Sequence, residues 1–482
     1  MSPSDTLLFT PVLPEIFVLT MACVVLLVDV HLKDEHREFT YILCQWTLLG
    51  AVLITSITLA SQPVVTFYGH FVKDAMGDVL KLGIYLSTAL VFLYSRDYLR
   101  VRQLFKGEYY LLGLFAVLGM MVMVSAHSLL SLYLGLELFS LSTYALVAFH
   151  RDSSAAAEAG IKYFVLGALA SGMLLYGISM MYGATASLDI GEIALVVSER
   201  GRDDLVLVFG LVFLVVGIAF KFGAVPFHMW IPDVYQGAPT SVALFIGAAP
   251  KLAAFAMTMR LLANGLQPLH ADWQQMLVIL ALLSIGTGNL LAIAQSNIKR
   301  MLAYSTIAHV GFLLLGVIAG NDNGYAAAMF YALTYVLMVT AAFGIILILS
   351  RAGLEVEDIR DFRGLNEYNP WLAFLMLLTM MSMVGIPFLV GFYAKLAVFQ
   401  AVVSTGMIWL AVYGVIFSVI GAFYYLRVVK VMYFDKPEQP IAVELPKDLK
   451  YAISANGLLI LILGLFPALL MSLCERAFQL GL

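Results

Sequence analysis

Charged residues are scarce in this chain of 482 residues. Asp, Glu, Lys and Arg make up 12% of it and hydrophobic residues make up 62%, whereas a soluble domain has about 25% charged and roughly 45–50% apolar residues. This is too little charge to cover a surface in contact with water, which argues against a soluble enzyme and a secreted scaffold. The formal net charge of -4 is close to neutral and gives no sign of a nucleic-acid partner.

Cysteine is also rare. The three cysteines, Cys23, Cys44 and Cys474, are far apart and form no C-x-x-C motif, which argues against structural zinc and iron–sulfur sites. The sequence has no ATP-binding G-x-x-x-x-G-K-[ST] motif and no spaced set of His and Cys for haem or a metal. We therefore expect no cofactor in this chain. The first ten residues contain no Lys or Arg, unlike a cleaved signal peptide, so the first apolar run is expected to be a retained membrane helix.

Long apolar runs fill most of the sequence, and the mean hydropathy is +0.94. A membrane-spanning helix needs about 20 mostly apolar residues, and polar, Gly or Pro residues divide the chain into about fourteen such runs. We therefore predict an all-α polytopic membrane protein. The runs lie near residues 10–29, 40–60, 78–95, 109–126, 128–149, 160–183, 204–235, 240–262, 275–293, 300–319, 324–350, 371–402, 408–428 and 451–473.

Lysine and arginine are distributed unevenly between the loops. Most of the 27 Lys and Arg residues lie in loops that follow odd-numbered runs, whereas only Lys73, Arg200 and Arg202 lie in loops that follow even-numbered runs. Cytoplasmic loops of membrane proteins carry the excess of Lys and Arg. The odd-numbered loops are therefore expected in the cytoplasm, and with fourteen runs both termini are expected on the opposite side.

Two runs, 204–235 and 371–402, are longer than one membrane crossing needs, and each has a proline in its interior. The first reads GAVPFHMW around Pro226 and the second reads VGIPFLVG around Pro387. The two runs are five apart, and an odd offset reverses the direction in which the chain enters the membrane. We therefore predict two proline-broken helices in an inverted five-helix repeat, as in many transporters, although two short strings in an apolar chain can also coincide by chance.

The repeat divides the chain into four parts. We predict three N-terminal membrane helices in residues 1–108, a first five-helix unit in 109–263, a second, inverted unit in 264–432 and a C-terminal membrane helix in 433–482. No loop is long enough to hold a domain outside the membrane.

Four ionisable residues lie in the interior of apolar runs: Glu137, Lys221, Lys251 and Lys395. A lysine at the centre of a membrane helix costs about 2.5–3.5 kcal/mol, so a function is expected for each. Burial lowers the pKa of a lysine and a nearby carboxylate raises it again, so a buried lysine with an acidic partner can act as a proton switch. A static ion pair is the alternative, but one glutamate cannot neutralise three lysines.

Three further residues are candidates for proton transfer. His228 lies two residues after the proline of GAVPFHMW, where unwound backbone must line a cavity or be buried in protein. His309 lies within the tenth run; histidine titrates near neutral pH, although a lone buried histidine is often a packing residue. Lys162 lies near the end of a run, so it either functions or extends its ammonium group to the membrane surface. We expect the side chains of Lys81 and Arg260 to extend to the membrane surface in this way.

Together these features resemble the antiporter-like subunits of respiratory complex I, the proton-pumping NADH:quinone oxidoreductase. Members of that family have fourteen helices, an inverted five-helix repeat and two broken helices. They have Glu in the fifth helix, Lys in the seventh and eighth, and Lys or Glu in the twelfth. Residues 226–242, PFHMWIPDVYQGAPTSV, residues 295–311, QSNIKRMLAYSTIAHVG, and the choice of Lys at Lys395 are similar to the subunit N branch in particular. Pro250, directly before Lys251, departs from the motif.

The resemblance implies a proton-translocating membrane-arm subunit of a bacterial complex I in the inner (plasma) membrane. It implies that Glu137 modulates Lys221, that His228 and Lys251 carry the relay across the middle of the membrane, and that Lys395 loads or releases the proton at the far end. FMN, iron–sulfur clusters and quinone are expected in other subunits. The implied partners are the other membrane-arm subunits, the lipid bilayer and protons, with no nucleic acid.

Two other functions stay open at this point. A free-standing or Mrp-type cation/proton antiporter subunit would need the same buried charges, but it would not purify together with redox subunits. A non-transporting assembly subunit would tolerate the loss of those charges.

Overall fold

The computed structural model describes residues 7–200, 204–350, 355–437 and 446–479. Most of this part of the chain is helical, and its paired strands form one short antiparallel hairpin of β1 (Val64–Thr66) and β2 (Phe71–Lys73). The α-helices are α1 (Leu13–His31), α2 (Glu38–Ile57), α3 (Ala75–Val101), α4 (Gly107–Val124), α5 (Leu129–Val147), α6 (Ser154–Thr185), α7 (Ile190–Arg200), α8 (Leu205–Phe222), α9 (Trp230–Gly237), α10 (Thr240–Gly247), α11 (Ala249–Thr258), α12 (His270–Ile293), α13 (Ile298–Ile318), α14 (Asp322–Leu349), α15 (Leu365–Tyr368), α16 (Pro370–Val384), α17 (Val390–Ser404), α18 (Ile408–Phe434), α19 (Lys447–Leu465) and α20 (Ala468–Gln479). Short 3-10 turns lie at Thr10–Val12, Asp34–His36, Gln267–Leu269 and Ile359–Phe362, and a π-helix lies at Met259–Gly265.

The number of membrane crossings agrees with the sequence pattern. Within the described ranges, 13 helical segments are long and apolar enough to cross a membrane. α16 and α17 are each shorter and follow one another across a break, and together they supply one further crossing. The predicted all-α membrane protein with about fourteen spans is confirmed.

Three details of the helices differ from the prediction. The last predicted run, 451–473, crosses a break, because α19 ends at Leu465 and Pro467, which cannot continue a helix, precedes α20. The eighth run is interrupted at Ala248, between α10 and α11. The helix α7, between the sixth and seventh runs, was not predicted. Arg202, one of the loop residues used for orientation, lies outside the described residues.

A close helix–helix contact occurs twice and relates the two halves of the chain. α4 packs against α5 and α12 packs against α13. A Cβ atom on Gly119 of α4 would lie 2.5 Å from the amide nitrogen of Phe139, and one on Gly288 of α12 would lie 2.6 Å from that of Ala308. The number of residues from Gly119 to Gly288 is the same as the number from Phe139 to Ala308. Only glycine allows the two backbones to approach so closely, so each half depends on a glycine at this helix–helix contact.

Loop contacts repeat with the same offset as these glycines. Ser128 and Asp189 form an antiparallel bridge in the first half, and Asn297 and Asp358 form one in the second. The first bridge joins loops that follow even-numbered spans, and the second joins loops that follow odd-numbered spans. Since the two halves are five spans apart, the second enters the membrane from the opposite side. The four-part division of the chain stays a prediction.

Two basic side chains near the ends of spans are buried rather than extended to a membrane surface. The Lys81 ammonium pairs with the Glu15 carboxylate of α1. Arg260 donates to both carboxylate oxygens of Asp74, at 2.5 and 2.9 Å, and to the Val124 carbonyl oxygen. The expectation that Lys81 and Arg260 reach the membrane surface is therefore wrong, because a carboxylate on a neighbouring element gives each a buried partner.

Candidate functional site

The seventh span is broken at the end of α8. α8 ends at Phe222, and Gly223 has a left-handed conformation with φ of 75°, which glycine adopts at no steric cost. The segment between α8 and α9 contains Pro226 and His228. The last carbonyl groups of α8 therefore lack the partners that a continuous helix would give them.

Lys251 occupies the end of this broken helix. Its side chain is 2% exposed, and its ammonium group donates to the Phe222 carbonyl oxygen at 2.9 Å and lies 5.6 Å from the centre of the Trp230 ring. The helix break before Lys251 follows from Pro250, which has no N–H to continue the hydrogen bonds of α10, and Ala248 joins α10 to α11 with φ of -101° and ψ of -102°. The departure of Pro250 from the family motif thus coincides with a real interruption beside Lys251.

The twelfth span repeats this arrangement with Lys395. α16 ends at Val384, Gly385 has a φ of 93°, and Pro387 lies in the break before α17. The Lys395 ammonium donates to the Val384 carbonyl oxygen at 2.8 Å and lies 4.8 Å from the centre of the Phe312 ring. A cavity of about 450 Å³ reaches Lys395 from the side of α17 and α18. Both broken spans therefore place a buried ammonium group at the carboxyl end of their first half.

Lys221 and Glu137, expected to act together, do not form an ion pair in the described part of the chain. The Lys221 ammonium instead donates to the Ser140 hydroxyl at 2.6 Å and lies 5.7 Å from the centre of the Phe139 ring. The Ser140 hydroxyl in turn donates to the Leu136 carbonyl oxygen at 2.5 Å. Oε1 of Glu137 is buried and has no hydrogen-bond partner among the described residues.

His309 lies in a chain of buried hydroxyl groups. Tyr331 Oη is 2.7 Å from His309 Nδ1, Tyr425 Oη is 3.0 Å from His309 Nε2, and Ser305 Oγ is 2.5 Å from the same Tyr425 oxygen. A neutral imidazole has one N–H, so one tyrosine accepts a hydrogen bond from the ring and the other donates one. Exchange of the two tautomers reverses the direction of the chain, which suits proton transfer. The sequence offset that relates the two halves matches His309 to Ser140, the partner of Lys221.

His228 is held in the break by its backbone, since Ile231 N–H donates to the His228 carbonyl oxygen at 2.9 Å. Its Nδ1 atom is buried and, within the described ranges, has no hydrogen-bond partner. No described hydrogen bond connects the ring to Lys221 or Lys251. His228 thus follows the end of α8 in the sequence, but its ring makes no direct hydrogen bond to either lysine in the described part of the chain.

Lys162 lies apart from these groups. Its side chain is 44% exposed, and its ammonium group pairs with Asp233 at 2.8 Å and Glu158 at 2.8 Å. Asp233, on α9, also pairs with Arg300 of α13 at 2.9 Å. Lys162 therefore helps to fix the second half of the broken seventh span, from the surface of the protein.

Two of the predicted lysines are connected through the carboxyl end of α8. Lys221 directly precedes Phe222, whose carbonyl oxygen accepts the hydrogen bond from the Lys251 ammonium, whereas the Lys221 ammonium donates to Ser140 of α5. Lys395 and His309 belong to the second half. Ser140, Tyr331 and Tyr425 were not predicted from the sequence. Ser140 could have been found from its spacing of one helical turn from Glu137, whereas the 24 tyrosines carry no such signal. In the described residues no group of three His, Cys, Asp or Glu side chains could hold a metal ion.

Comparison with known proteins identifies the family of this chain. Residues 126–421 match the family model described as the transmembrane part of NADH:quinone oxidoreductase and Mrp antiporters. NADH-quinone oxidoreductase subunit N of Thioalkalivibrio sulfidiphilus (strain HL-EbGR7) is 60% identical over 471 residues, which cover 97% of this chain and 98% of that protein. The corresponding subunit N of Thiobacillus denitrificans (strain ATCC 25259 / T1) is 58% identical over 475 residues, 98% of each chain.

Solved structures show the same fold. A chain of respiratory complex I from Thermus thermophilus with bound aureothin superposes with a TM-score of 0.83 at 32% identity, over 95% of this chain and 98% of that chain. A chain of the Mrp complex from Dietzia sp. DQ12-45-1b has a TM-score of 0.83 at 20% identity, over 97% and 96% of the two chains, and this likeness concerns the fold alone. The predicted resemblance is confirmed, and the chain belongs to the subunit N family of the NADH-quinone oxidoreductases.

Proposed function

We propose that this chain translocates protons across the membrane as a membrane-arm subunit of NADH-quinone oxidoreductase. The hydrogen-bond partners of the buried lysines are the main support for this function. Lys221, Lys251 and Lys395 are buried at the broken helices, and each donates to a neutral oxygen: a hydroxyl for the first and a backbone carbonyl for the other two. A group with neutral partners can lose its proton without leaving a buried carboxylate unpaired.

Other buried cations in the chain are bound differently. Lys81 and Arg260 each have a carboxylate partner on a neighbouring element. The three lysines of the broken helices make no ion pair in the part of the chain that the structure describes. The lack of ion pairs argues against the static ion pair. Each of the three lysines costs about 2.5–3.5 kcal/mol at the centre of a membrane, and this cost argues against a scaffold without transport.

The proposed route uses the predicted residues in the order in which the chain holds them. Glu137 modulates Lys221, and Lys221 and Lys251 exchange the proton around the carboxyl end of α8 with His228 in the break beside them. The hydroxyl chain through His309 extends toward Lys395, which loads or releases the proton at the far end. Lys162 positions α9 through its ion pair with Asp233.

The proposed setting follows the family. The subunit spans the bacterial inner membrane with both termini on the non-cytoplasmic side, in contact with lipid and with other membrane-arm subunits. NADH oxidation by FMN and iron–sulfur clusters and the reduction of quinone occur in other subunits. That reaction drives proton transport from the cytoplasm to the opposite side.

The test is NADH-driven proton uptake by inverted membrane vesicles, normalised to assembled complex and to NADH oxidised. Lys221→Ala, Lys251→Ala and Lys395→Ala should each lower proton uptake at least about tenfold, since a relay is interrupted at any one of its groups. Lys430→Ala is the control, because its side chain at the end of α18 is 70% exposed, and it should pump normally. Normal pumping by all three variants would contradict the proposal.

The antiporter alternative is separated by purification in mild detergent. A membrane-arm subunit co-purifies with redox subunits and with NADH:quinone activity, whereas a free-standing antiporter subunit does not. The identity of 60% to a subunit N over nearly the full length, against 20% for the Mrp chain, supports the first outcome.

A further inference from the structure

The Ser140 hydroxyl is oriented so that it acts as a hydrogen-bond acceptor for Lys221. It donates its own proton to the Leu136 carbonyl oxygen, at 2.5 Å. A serine hydroxyl has one donor and two acceptor positions, so only its lone pairs are free for Lys221, whose ammonium lies 2.6 Å away. Ser140 is fully buried, with 0% of its surface exposed, so water does not replace it as the acceptor.

Glu137 lies one helical turn before Ser140 on α5. Residues three apart on a helix face the same side, with about 5–6 Å between their Cβ atoms, which is within the swing of a lysine side chain. Oε1 of Glu137 is buried and, among the described residues, accepts no hydrogen bond. The Lys221 ammonium thus has two acceptors within reach on one face of α5, and it occupies the neutral one.

We propose that Ser140 is a positioning residue that holds the Lys221 ammonium one helical turn away from Glu137, so that Lys221 alternates between a neutral acceptor and a carboxylate. With Lys221 on Ser140, Glu137 is unpaired and Lys221 can pass its proton onward. With Lys221 on Glu137, the ion pair keeps the proton on the lysine. This inference rests on the proposed function, because it describes how the first lysine of the relay is switched.

If Ser140 only donated a hydrogen bond within its own helix, replacing it with Ala should affect pumping no more than replacing another serine that makes the same bond. Serines in membrane helices often donate to the carbonyl oxygen four residues earlier, and Ser142 on the same helix does so to Leu138 at 2.7 Å. Ser142 is also buried, with 5% exposed, but it makes no described contact with Lys221. Ser142→Ala is therefore a matched control that removes the same helix bond without the lysine contact.

The experiment compares Ser140→Ala, Ser140→Thr and Ser142→Ala in the assembled complex. Proton uptake per NADH oxidised should fall at least about threefold in Ser140→Ala, because a hydrogen bond to a charged group is lost and Lys221 stays on Glu137. Ser140→Thr keeps the hydroxyl and should retain most of the pumping. Ser142→Ala should pump normally.

A second measurement separates positioning from packing. If Ser140 acts through Lys221 and Glu137, adding Glu137→Gln to Ser140→Ala should lower pumping by much less than the product of the single effects, since coupled residues are not additive. Multiplicative effects would overturn the inference. If Ser140→Ala does not assemble, Ser140→Cys decides, because sulfur is a weak acceptor of similar size; it should also lower pumping, and normal pumping by Ser140→Cys would overturn the inference.

The outcomes distinguish this inference from the proposed function. Normal pumping by Ser140→Ala together with lost pumping by Lys221→Ala would remove the positioning role and leave the proton relay intact. Normal pumping by Lys221→Ala would remove both the positioning role of Ser140 and the part of Lys221 in the relay.

Discussion

The Lys251 ammonium donates a hydrogen bond of 2.9 Å to the carbonyl oxygen of Phe222, the last residue of α8. Lys395 does the same at 2.8 Å to Val384, the last residue of α16. The carboxyl end of a helix carries a partial negative charge, which stabilises a nearby cation by about 0.3–1 kcal/mol and up to roughly 2 kcal/mol when partly buried. Each broken span thus supplies an acceptor for its lysine that never takes up a proton itself.

The position of Lys251 depends on the interruption before it, and this gives a first prediction. In Pro250→Ala the new N–H group can bond to a carbonyl of α10, so α10 and α11 should join into one helix and move the Lys251 ammonium away from Phe222. We expect proton uptake per NADH to fall severalfold while the complex still assembles. Pro467→Ala, which lies between α19 and α20 and far from the lysines in sequence, is the control. Unchanged pumping in Pro250→Ala would contradict this account of the break.

The Arg260–Asp74 pair is a structural contact, and its loss should affect assembly before it affects pumping. Removing one partner of a buried ion pair costs about 3–5 kcal/mol, because the other charge is left uncompensated. Arg260→Ala and Asp74→Ala should therefore lower the temperature at which the complex loses subunits. The double variant should be less damaging than the sum of the two, since no single charge stays unpaired. Additive losses would show that the two side chains are not energetically coupled.

Lys162 should matter less than the lysines of the broken helices. An exposed ion pair contributes about 0–1 kcal/mol, and Asp233 keeps Arg300 as a partner when Lys162 is lost. We expect Lys162→Ala to lower pumping less than twofold and Asp233→Ala to lower it more, because the second change removes both contacts to α9. The comparison uses proton uptake per assembled complex. A tenfold loss in Lys162→Ala would give Lys162 a direct part in the relay.

The spans and the breaks in the seventh and twelfth spans could be predicted from the sequence because simple physical limits determine them. The thickness of the bilayer fixes the length of an apolar helix, and a proline such as Pro226 or Pro387 interrupts its hydrogen bonds. The lysines could be located for a related reason, since a charge inside an apolar run requires a partner or a function.

The partners of these lysines could not be predicted, because they depend on how helices pack. Lys251 reaches a backbone carbonyl on another helix, and no side chain in the sequence marks that acceptor. Glu137 was the expected partner of Lys221, yet Ser140, one turn further along, holds it. Arg260 was expected at the membrane surface and is instead 1% exposed, because the loop before α3 brings Asp74 to it.

The orientation of the chain can be tested with single cysteines in variants that lack the native ones. Lys106, between α3 and α4, follows an odd-numbered span, and Ser198, on α7, follows an even-numbered span; both are exposed. A membrane-impermeant maleimide added to intact spheroplasts should label Ser198→Cys and not Lys106→Cys, because loops rich in Lys and Arg stay in the cytoplasm. In inverted vesicles the result should be reversed. Labelling of both from one side would contradict the proposed orientation.

Lys395 separates a proton carrier from a static charge most sharply. It lies eight residues after Pro387, and its ammonium has the Val384 carbonyl as its hydrogen-bond partner. A proton carrier must be charged and neutral in turn. Arginine cannot be, because it stays protonated in proteins. Lys395→Arg should therefore lose pumping about as completely as Lys395→Ala, even though it keeps the charge and can still donate to Val384. A static charge predicts the opposite order, with Arg tolerated and Ala damaging. The measurement is proton uptake into inverted vesicles after NADH addition, normalised to assembled complex, and near-normal pumping by Lys395→Arg would remove the carrier role from Lys395.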